Sequence, residues 1–317
     1  MSFDNITDVP GVKVGHIEDL NALTGCTVIL TEQGAVAGVD VRGAAPGTRE
    51  TDLLHPVNMV HEVHGICLAG GSAFGLDAAS GVMKFLEENE IGLDVVVANV
   101  PIVPSAILFD LAVGDSKVRP NADMGYKAAE KAARGIFQQG NVGAGCGATV
   151  GKVMGFEHCM KGGLGSTAIS LENGLVVGAI VAVNALGDIR DPKTGSILAG
   201  AINPETGDLV DSEQFMRTQV ESFGRVGQNT TIGVIAVNAK LSKAEATKVS
   251  QMAHNAIGRT IYPAHTMFDG DTIFTVATGD RQYSLDLIGS LATQALEKAI
   301  IRAVTEAESI QDIKAYQ

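Results

Sequence analysis

The chain has 317 residues, of which 45% are apolar, and this share is enough to build a sizeable core. Its formal net charge of −13 disfavours nucleic acid or an anionic membrane as the main partner, because both attract Lys and Arg. Aromatic residues make up only 4% of the chain and Trp is absent, which argues against a surface that stacks bases or sugars.

The cysteines and the chain start bear on metal binding and location. No pair of cysteines is spaced as CxxC, and no Cys/His cluster has the spacing of zinc ligands, so we expect no metal and four buried, reduced thiols. The segment MSFDNITDVPG has acids and an early Pro instead of a basic-then-apolar signal peptide. The longest apolar run, residues 175–186, is too short to span a bilayer. We therefore expect a cytoplasmic protein.

The N-terminal third alternates short β-like runs with turns. Runs of Val, Ile and Thr bounded by Gly or Asp predict strands over residues 11–17, 25–30, 36–41 and 65–69. A helical pattern covers about residues 73–88, and the continuous apolar run 93–100 predicts a further strand.

The middle and the C-terminal part continue this mixture. A second helix is predicted around residues 124–134, followed by the Gly-rich segment 143–151. The Asn173-Gly174 turn predicts a hairpin between strands 167–171 and 175–184. The polar stretch 187–228 is predicted to be an exposed, protease-sensitive connection.

The last part of the chain is the most regular. Residues 231–237 and 273–277 predict buried strands, and a long helix is expected over 284–309. Ser242 and Glu245 have the spacing of a capping box, which opens a helix that Gly258 can end. Strands early and late, with helices between and after them, predict a single α+β domain built as a layered sandwich.

Thr230 stands where the polar stretch gives way to a buried strand. On this pattern alone, a Thr at the start of a strand is ordinary. A chemically specific alternative is that the bond between Asn229 and Thr230 breaks, which gives Thr230 a free α-amino group with a pKa of about 8. Such an amine can accept the proton of the neighbouring hydroxyl, so that one residue supplies both nucleophile and base.

Two acidic residues follow Thr230 at a distance. Asp269 and Asp271 lie 39 and 41 residues beyond it, just before a predicted strand. In an extended segment their side chains share one face, where two carboxylates can orient an amine and tune its protonation. The alternative is a turn that uses Asp269-Gly270 for its geometry.

The chain resembles the self-cleaving aminopeptidases, which include L-aminopeptidase/D-esterase, the β-peptidyl aminopeptidases and nylon-oligomer hydrolase. The resemblance covers most of the chain, and its pattern is closest to the nylon-oligomer hydrolase branch, which has a Thr nucleophile and an Asp-Gly-Asp element downstream. It is carried by residues 8–16 (DVPGVKVGH), 42–48 (RGAAPGT), 68–75 (LAGGSAFG), 141–145 (NVGAG) and 229–230 (NT).

The resemblance implies a four-layer αββα-type sandwich of the N-terminal-nucleophile-like kind, shared with the ornithine acetyltransferases. It implies self-cleavage between Asn229 and Thr230, into a large subunit of residues 1–229 and a small subunit of residues 230–317. It also implies a homotetramer that hydrolyses a small-molecule amide or peptide substrate without a metal or organic cofactor.

The resemblance also assigns residues to roles. Thr230 matches the nucleophile, and Asp269 and Asp271 match the downstream acidic pair. Lys152 matches a lysine near the scissile bond, and Asn184 matches an Asn whose amide donates to the developing oxyanion. Phe109 stands where the family has a Tyr that lines the substrate pocket, so one hydroxyl donor is missing there.

Three alternatives stay open. The first is a β-peptidyl aminopeptidase or L-aminopeptidase/D-esterase of the same family, which needs an acidic group that binds the free amine of the substrate. The second is an acetyltransferase of the ornithine type, although its motif around the nucleophile is not found. The third is an uncleaved, non-catalytic oligomeric protein, in which Thr230 is only a strand residue.

Overall fold

The computed structural model describes residues 2–218 and 229–316. The helices are α1 (Ala78–Glu88), α2 (Ala122–Glu130), α3 (Ser212–Thr218), α4 (Lys243–Thr260) and α5 (Leu285–Thr305). The strands are β1 (Lys13–Asp19), β2 (Thr24–Val41), β3 (Thr48–Arg49), β4 (Glu62–Ala69), β5 (Leu93–Asp94), β6 (Asn99–Val100), β7 (Ser105–Ile107), β8 (Thr149–Val150), β9 (Met160–Lys161), β10 (Gly163–Ser170), β11 (Val176–Asn184), β12 (Asp188–Arg190), β13 (Ile197–Ala199), β14 (Ala201–Ile202), β15 (Leu209–Val210), β16 (Thr230–Val237), β17 (Ile261–Tyr262) and β18 (Thr272–Ala277).

One large mixed sheet organises the described residues. Its order is β10-β11-β16-β18-β2-β4-β7-β3, and β1 pairs with β2 outside this path. The sequence predicts two strands over residues 25–30 and 36–41, but they form the single 18-residue strand β2. The pairing of β2 with β4 shifts register between Leu30 and Ala35, where Gly34 has a φ of +80°. Glycine adopts this conformation without a Cβ clash, so the strand can be irregular at this point without ending.

Because β2 pairs with β1 and β4 near its start and with β18 near its end, it joins two half-sheets. Alternate side chains of β16 point to opposite faces of its half-sheet, so they show which core lies on each face. Ile232 and Val234 enter a core that also contains residues of β2 and β4. Ile235 and Val237 enter a different core, which α4 and α5 cover.

The other half-sheet has its own helical cover. Helices α1 and α2 pack on β1, β2 and β4, over a core that includes Val28 and Cys67. The order of layers is therefore two helices, one half-sheet, the other half-sheet and two helices. The predicted α+β four-layer αββα sandwich is confirmed.

Several local predictions agree with the structure. The hairpin of β10 and β11 forms around Asn173 and Gly174, and Gly174 has a φ of +88°. The capping box is present at the start of α4, where Ser242 and Glu245 exchange hydrogen bonds. The four cysteines are free and buried. Among the described helices, none has the combination of length and apolar character that a membrane crossing requires.

The predicted strand over residues 93–100 is wrong. Only its ends pair, as β5 and β6, and the turn between them exposes Val96 and Val97 by 95% and 90%. The Asp94 carboxylate accepts a hydrogen bond from the Val96 N–H at 2.7 Å, and Val96 has a φ of +73°. An Asp side chain that accepts a hydrogen bond from the backbone N–H two residues on favours a turn. Here that turn interrupts the apolar run, which does not alternate apolar and polar residues.

The polar stretch 187–228 is also more structured than its composition predicts. Its described part contains β12 to β15 and α3, and Asp188 is fully buried. Both carboxylate oxygens of Asp188 accept hydrogen bonds from Ser212, which ties α3 to β12. The last part of the predicted connection, residues 219–228, lies outside the described residues.

Candidate active site

The register of the large sheet brings three predicted site residues together at the same end of three neighbouring strands. Asn184 is the last residue of β11, and it pairs with Thr230, the first residue of β16. Asn229, just before β16, forms a parallel bridge with Asp269, just before β18. Thr230, Asn184 and Asp269 are 2%, 0% and 3% exposed, so this cluster of polar side chains is withdrawn from solvent.

The carbonyl group between Asn229 and Thr230 has two polar contacts. The Thr230 hydroxyl donates to the carbonyl oxygen of Asn229, and the Gly270 N–H donates to the same oxygen at 3.0 Å. A Cβ at position 270 would lie 2.9 Å from Thr230 Oγ1, so only glycine lets this backbone approach so closely. The carbonyl thus lies beside a hydroxyl group and a backbone N–H donor, the two kinds of group that acyl transfer uses as nucleophile and oxyanion stabiliser.

Asp271 is tied to the residue that follows Thr230. Its Oδ1 accepts a hydrogen bond from the Thr231 N–H at 2.7 Å. Its Oδ2 accepts one from the backbone N–H of His265 at 3.3 Å and lies 2.8 Å from Nδ1 of the same residue. Both oxygens of this buried carboxylate are therefore engaged, one with the start of β16 and one with His265.

Asp269 is held by a neighbouring residue in the same loop. Its Oδ2 accepts hydrogen bonds from the Thr266 N–H at 2.7 Å and the Thr266 hydroxyl at 2.6 Å. Burial, together with the nearby charge of Asp271, raises the pKa of Asp269 to about 6, although the two Thr266 bonds act in the opposite direction. A carboxyl group with this pKa can exchange a proton near neutral pH.

Lys152 lies against Asn184. Its Nζ donates to the backbone oxygens of Thr149 and Asn184 at 3.0 and 3.1 Å, and to Asn184 Oδ1 at 2.7 Å. Burial lowers the pKa of Lys152 to about 7, and the thiol of Cys159 and the carboxylate of Asp269 only partly oppose this. An amine with this pKa is partly neutral at physiological pH and can then accept a proton.

The Asn184 side chain is oriented by its neighbours. Its Oδ1 accepts from Lys152 and from the Thr149 N–H at 3.1 Å, whereas its Nδ2 donates to the backbone oxygen of Phe109 at 3.0 Å. The oxygen of an amide only accepts hydrogen bonds, so two donors fix which end of the group is the nitrogen. The amide N–H group therefore points away from Lys152.

Phe109 lies next to this pair through its backbone and presents a half-buried ring. The ring centre is 6.3 Å from that of Phe156, and Lys152 Nζ lies 5.8 Å from the Phe156 centre. The two rings form an apolar wall beside the lysine. Strand pairing and hydrogen bonds thus bring the seven residues predicted for the site into one region: Asn229, Thr230, Asp269, Asp271, Asn184, Lys152 and Phe109.

Several residues of this region are not indicated by the sequence patterns above. Thr266 precedes Asp269 by three residues, and a Thr-x-x-Asp spacing is a signal for such a local hydrogen bond. His265 and Phe156 have no comparable signal. The Gly270 N–H is a backbone group, and only the Asp-Gly-Asp element hints at its position.

Comparison with known proteins identifies the class. The family model for peptidase family S58 matches residues 4–317, so the chain belongs to peptidase family S58. It is 41% identical to an uncharacterized aminopeptidase of Mycobacterium leprae, over 99% of this chain and 93% of that protein. It is 32% identical to a 6-aminohexanoate-oligomer endohydrolase of Kocuria sp., over 93% of this chain and 84% of that protein.

A solved structure extends the likeness to the fold. The L-aminopeptidase D-Ala-esterase/amidase of Ochrobactrum anthropi, described as a new variant of the Ntn hydrolase fold, has a TM-score of 0.71 at 20% identity. The likeness covers 97% of this chain and 87% of that one. The family and its relatives make the chain a hydrolase that acts on amide or peptide bonds. The solved structure shows that its fold has the predicted N-terminal-nucleophile-like architecture.

Proposed function

We propose that this hydrolase cuts its own chain between Asn229 and Thr230 and then uses Thr230 as an N-terminal nucleophile on linear amides. The observation that carries the proposal is the pair of contacts on the Asn229 carbonyl oxygen, from the Thr230 hydroxyl and from the Gly270 N–H. The similarity to a 6-aminohexanoate-oligomer endohydrolase supports linear amides as substrates.

Self-cleavage begins when Thr230 Oγ attacks the carbonyl carbon of Asn229 and loses its proton to a nearby base. The Gly270 N–H stabilises the negative charge that develops on the Asn229 oxygen. The tetrahedral intermediate collapses by breaking the C–N bond, and the nitrogen of Thr230 takes up a proton. Water then hydrolyses the ester between Asn229 and Thr230, which leaves a carboxylate on Asn229 and a free amine and hydroxyl on Thr230.

Two groups are suited to accept the first proton, because the α-amine of Thr230 is still part of the peptide bond. Lys152 has a pKa lowered to about 7, and Asp269 has a pKa raised to about 6. The two side chains lie close enough to shift each other's pKa. Their different values predict different pH profiles for self-cleavage, which can be measured.

In turnover, the free α-amine replaces the external base. Thr230 Oγ attacks the substrate carbonyl, its own amine accepts the proton, and Asn184 Nδ2 donates to the oxyanion. The leaving amine departs with a proton, and water hydrolyses the acyl-threonine ester to regenerate the hydroxyl. Phe109 and Phe156 offer an apolar surface to the methylene groups of a linear amide.

The two fragments of a cut chain share the large sheet, and this keeps them associated. Strands β16 and β18 of the small subunit lie in the large sheet between β11 and β2, which belong to the large subunit. The proposal includes the homotetramer without a cofactor that the family resemblance implies, and the cytoplasmic location that the sequence pattern favours. Light scattering of the purified protein tests the oligomer, and a monomer at micromolar concentration contradicts it.

A denaturing gel with mass spectrometry tests self-cleavage. We expect two fragments, 1–229 and 230–317, in the wild type and a single full-length chain in Thr230→Ala. Thr230→Ser is the matched control. It keeps the hydroxyl, so we expect it to cut itself into the same two fragments. A full-length wild-type chain under all conditions refutes self-cleavage, and hydrolysis by Thr230→Ala refutes the nucleophile.

The 41% identical aminopeptidase favours a second candidate, an aminopeptidase acting on β- or L-amino acid amides. The mature enzyme can be assayed on 6-aminohexanoate oligomers, β-amino acid amides and L-amino acid amides in parallel. A preference for oligomers blocked at their amino end supports the first proposal. A strict need for a free substrate amine supports the second.

A further inference from the structure

We propose that His265 is a positioning residue, which fixes the Asp271 carboxylate on the start of β16 so that Thr230 keeps its place once it is a chain end. The inference rests on the proposed function, because it concerns the N-terminus that self-cleavage creates. It assigns a task to a half-buried histidine that the steps above do not use.

The contacts of His265 converge on one oxygen. Its backbone N–H and its Nδ1 both face Oδ2 of Asp271, at 3.3 and 2.8 Å. A carboxylate only accepts hydrogen bonds, so Nδ1 carries the proton. His265 has a φ of +56°, a left-handed conformation that is uncommon for a residue with a Cβ and that favours Asn, Asp and His among such residues. The backbone conformation lets the residue present both donors to the same atom.

The rest of the ring makes weaker contacts. Nε2 is buried and has no hydrogen-bond partner among the described residues. The ring stands edge-on to His254 with the centres 5.0 Å apart, and His254 Nε2 donates to the backbone oxygen of Asp40 at 3.0 Å. The Asp271 contact is thus the polar interaction that the His265 ring makes within the described structure.

The other oxygen of Asp271 holds the nucleophile's neighbour. Oδ1 accepts from the Thr231 N–H at 2.7 Å, and the His265 contacts to Oδ2 oppose a rotation of the carboxylate away from that N–H. Before the cut, Thr230 is also tethered through Asn229. After the cut, this tether is lost, and the position of Thr230 depends on strand pairing with Asn184 and on the Thr231–Asp271 bond. Loss of His265 should therefore affect turnover more than self-cleavage.

The test compares His265→Ala with His265→Asn. Asn tolerates a positive φ, and its side-chain nitrogen can donate where Nδ1 does, so it is the conservative variant. His61→Ala, an exposed histidine, is the matched control. We expect His265→Ala to cut itself to completion but to show a kcat about tenfold lower, with KM unchanged, since a hydrogen bond to a charged group is lost. His265→Asn should recover most of the kcat.

Each outcome decides the proposal. A kcat of His265→Ala equal to that of the wild type overturns it, and so does a His265→Asn enzyme as slow as His265→Ala. If His265→Ala does not fold, the His265→Asn enzyme decides alone, by having or lacking near-wild-type kcat. Thr230→Ala is assayed in parallel: residual turnover in that variant refutes the proposed function, whereas an inactive Thr230→Ala beside a fully active His265→Ala refutes only the role of His265.

Discussion

Two buried lysines lie within the short hairpin of β8 and β9: Lys152 is in the connection, two residues after β8, and Lys161 is the last residue of β9. Their side chains are alike in burial and in the number of bonds, since each donates three hydrogen bonds from Nζ. Burial lowers the pKa of Lys152 to about 7 and that of Lys161 to about 8. The desolvation of an ammonium group is costly, and three oxygen acceptors offset much of that cost in both places.

The two lysines differ in what accepts their bonds. Lys161 donates to the backbone oxygens of Gly145, Ala148 and Gly162, so it clips the Gly-rich segment to β9. Lys152 donates to the side chain of Asn184, which pairs with Thr230, and Asp269 lies near enough to raise the pKa of Lys152. Burial and a lowered pKa therefore do not separate the two lysines. The acceptors of their hydrogen bonds do, and on this ground we propose the task of a base for Lys152 and not for Lys161.

The largest expected effect separates the two directly. Lys152→Met should slow self-cleavage by about 10²–10⁴, because a positioned general base contributes about that much. Lys161→Met should still cut to completion but lose stability, because three backbone oxygens lose their donor. A gel time course and thermal unfolding measure the two effects. Equal cutting rates in both variants contradict the distinction.

The second prediction removes the acceptor that only Lys152 has. Asn184→Ala should lower the kcat of the mature enzyme by about 10²–10³, the usual cost of losing one oxyanion donor. Asn21→Ala, at an exposed position, serves as the control. The change in kcat on an amide substrate is the measurement. A fall below tenfold would mean that Asn184 supports Lys152 structurally and takes no part in oxyanion binding.

The third prediction concerns the pH dependence of self-cleavage. Lys152 accepts a proton only when it is neutral, and its pKa is lowered to about 7. The rate should then rise tenfold per pH unit below about 7 and level off above it, because the neutral fraction does so. Lys161→Met should leave this profile unchanged. An inflection near 6 assigns the base to Asp269 instead, and a rate that is flat from pH 5 to 8 excludes both groups.

The smallest expected effect is on stability. A lysine with a lowered pKa binds fewer protons in the folded than in the unfolded chain, between its folded pKa and the unfolded value of about 10.4. The free energy of unfolding should therefore rise with pH over that window, from about 7 for Lys152 and from about 8 for Lys161. Denaturant unfolding of Lys161→Met at pH 7 and pH 9 should show a smaller rise than the wild type. An unchanged rise would mean that Lys161 is not desolvated in solution.

Local patterns predicted the elements that depend on neighbours in sequence. The Asn173-Gly174 hairpin and the Ser242–Glu245 capping box need only a few adjacent residues, and both are present. The end of α4 was less predictable, because the helix continues past Gly258 to Thr260. Buried Ile257 packs with α5 there, and such packing outweighs the weak helix propensity of one glycine.

For the site, the sequence patterns identify candidate residues, but they do not show which of these residues are in contact. The sequence by itself placed Thr230 at the start of a buried strand and Asp269 and Asp271 before another, because hydrophobic runs mark strands wherever they lie. Only the tertiary structure decided that the two strands are parallel neighbours, that the Gly270 N–H meets the Asn229 carbonyl, and that Lys152 and not Lys161 meets Asn184. These contacts join residues that are distant along the chain, and such an approach is set by the packing of the whole sheet.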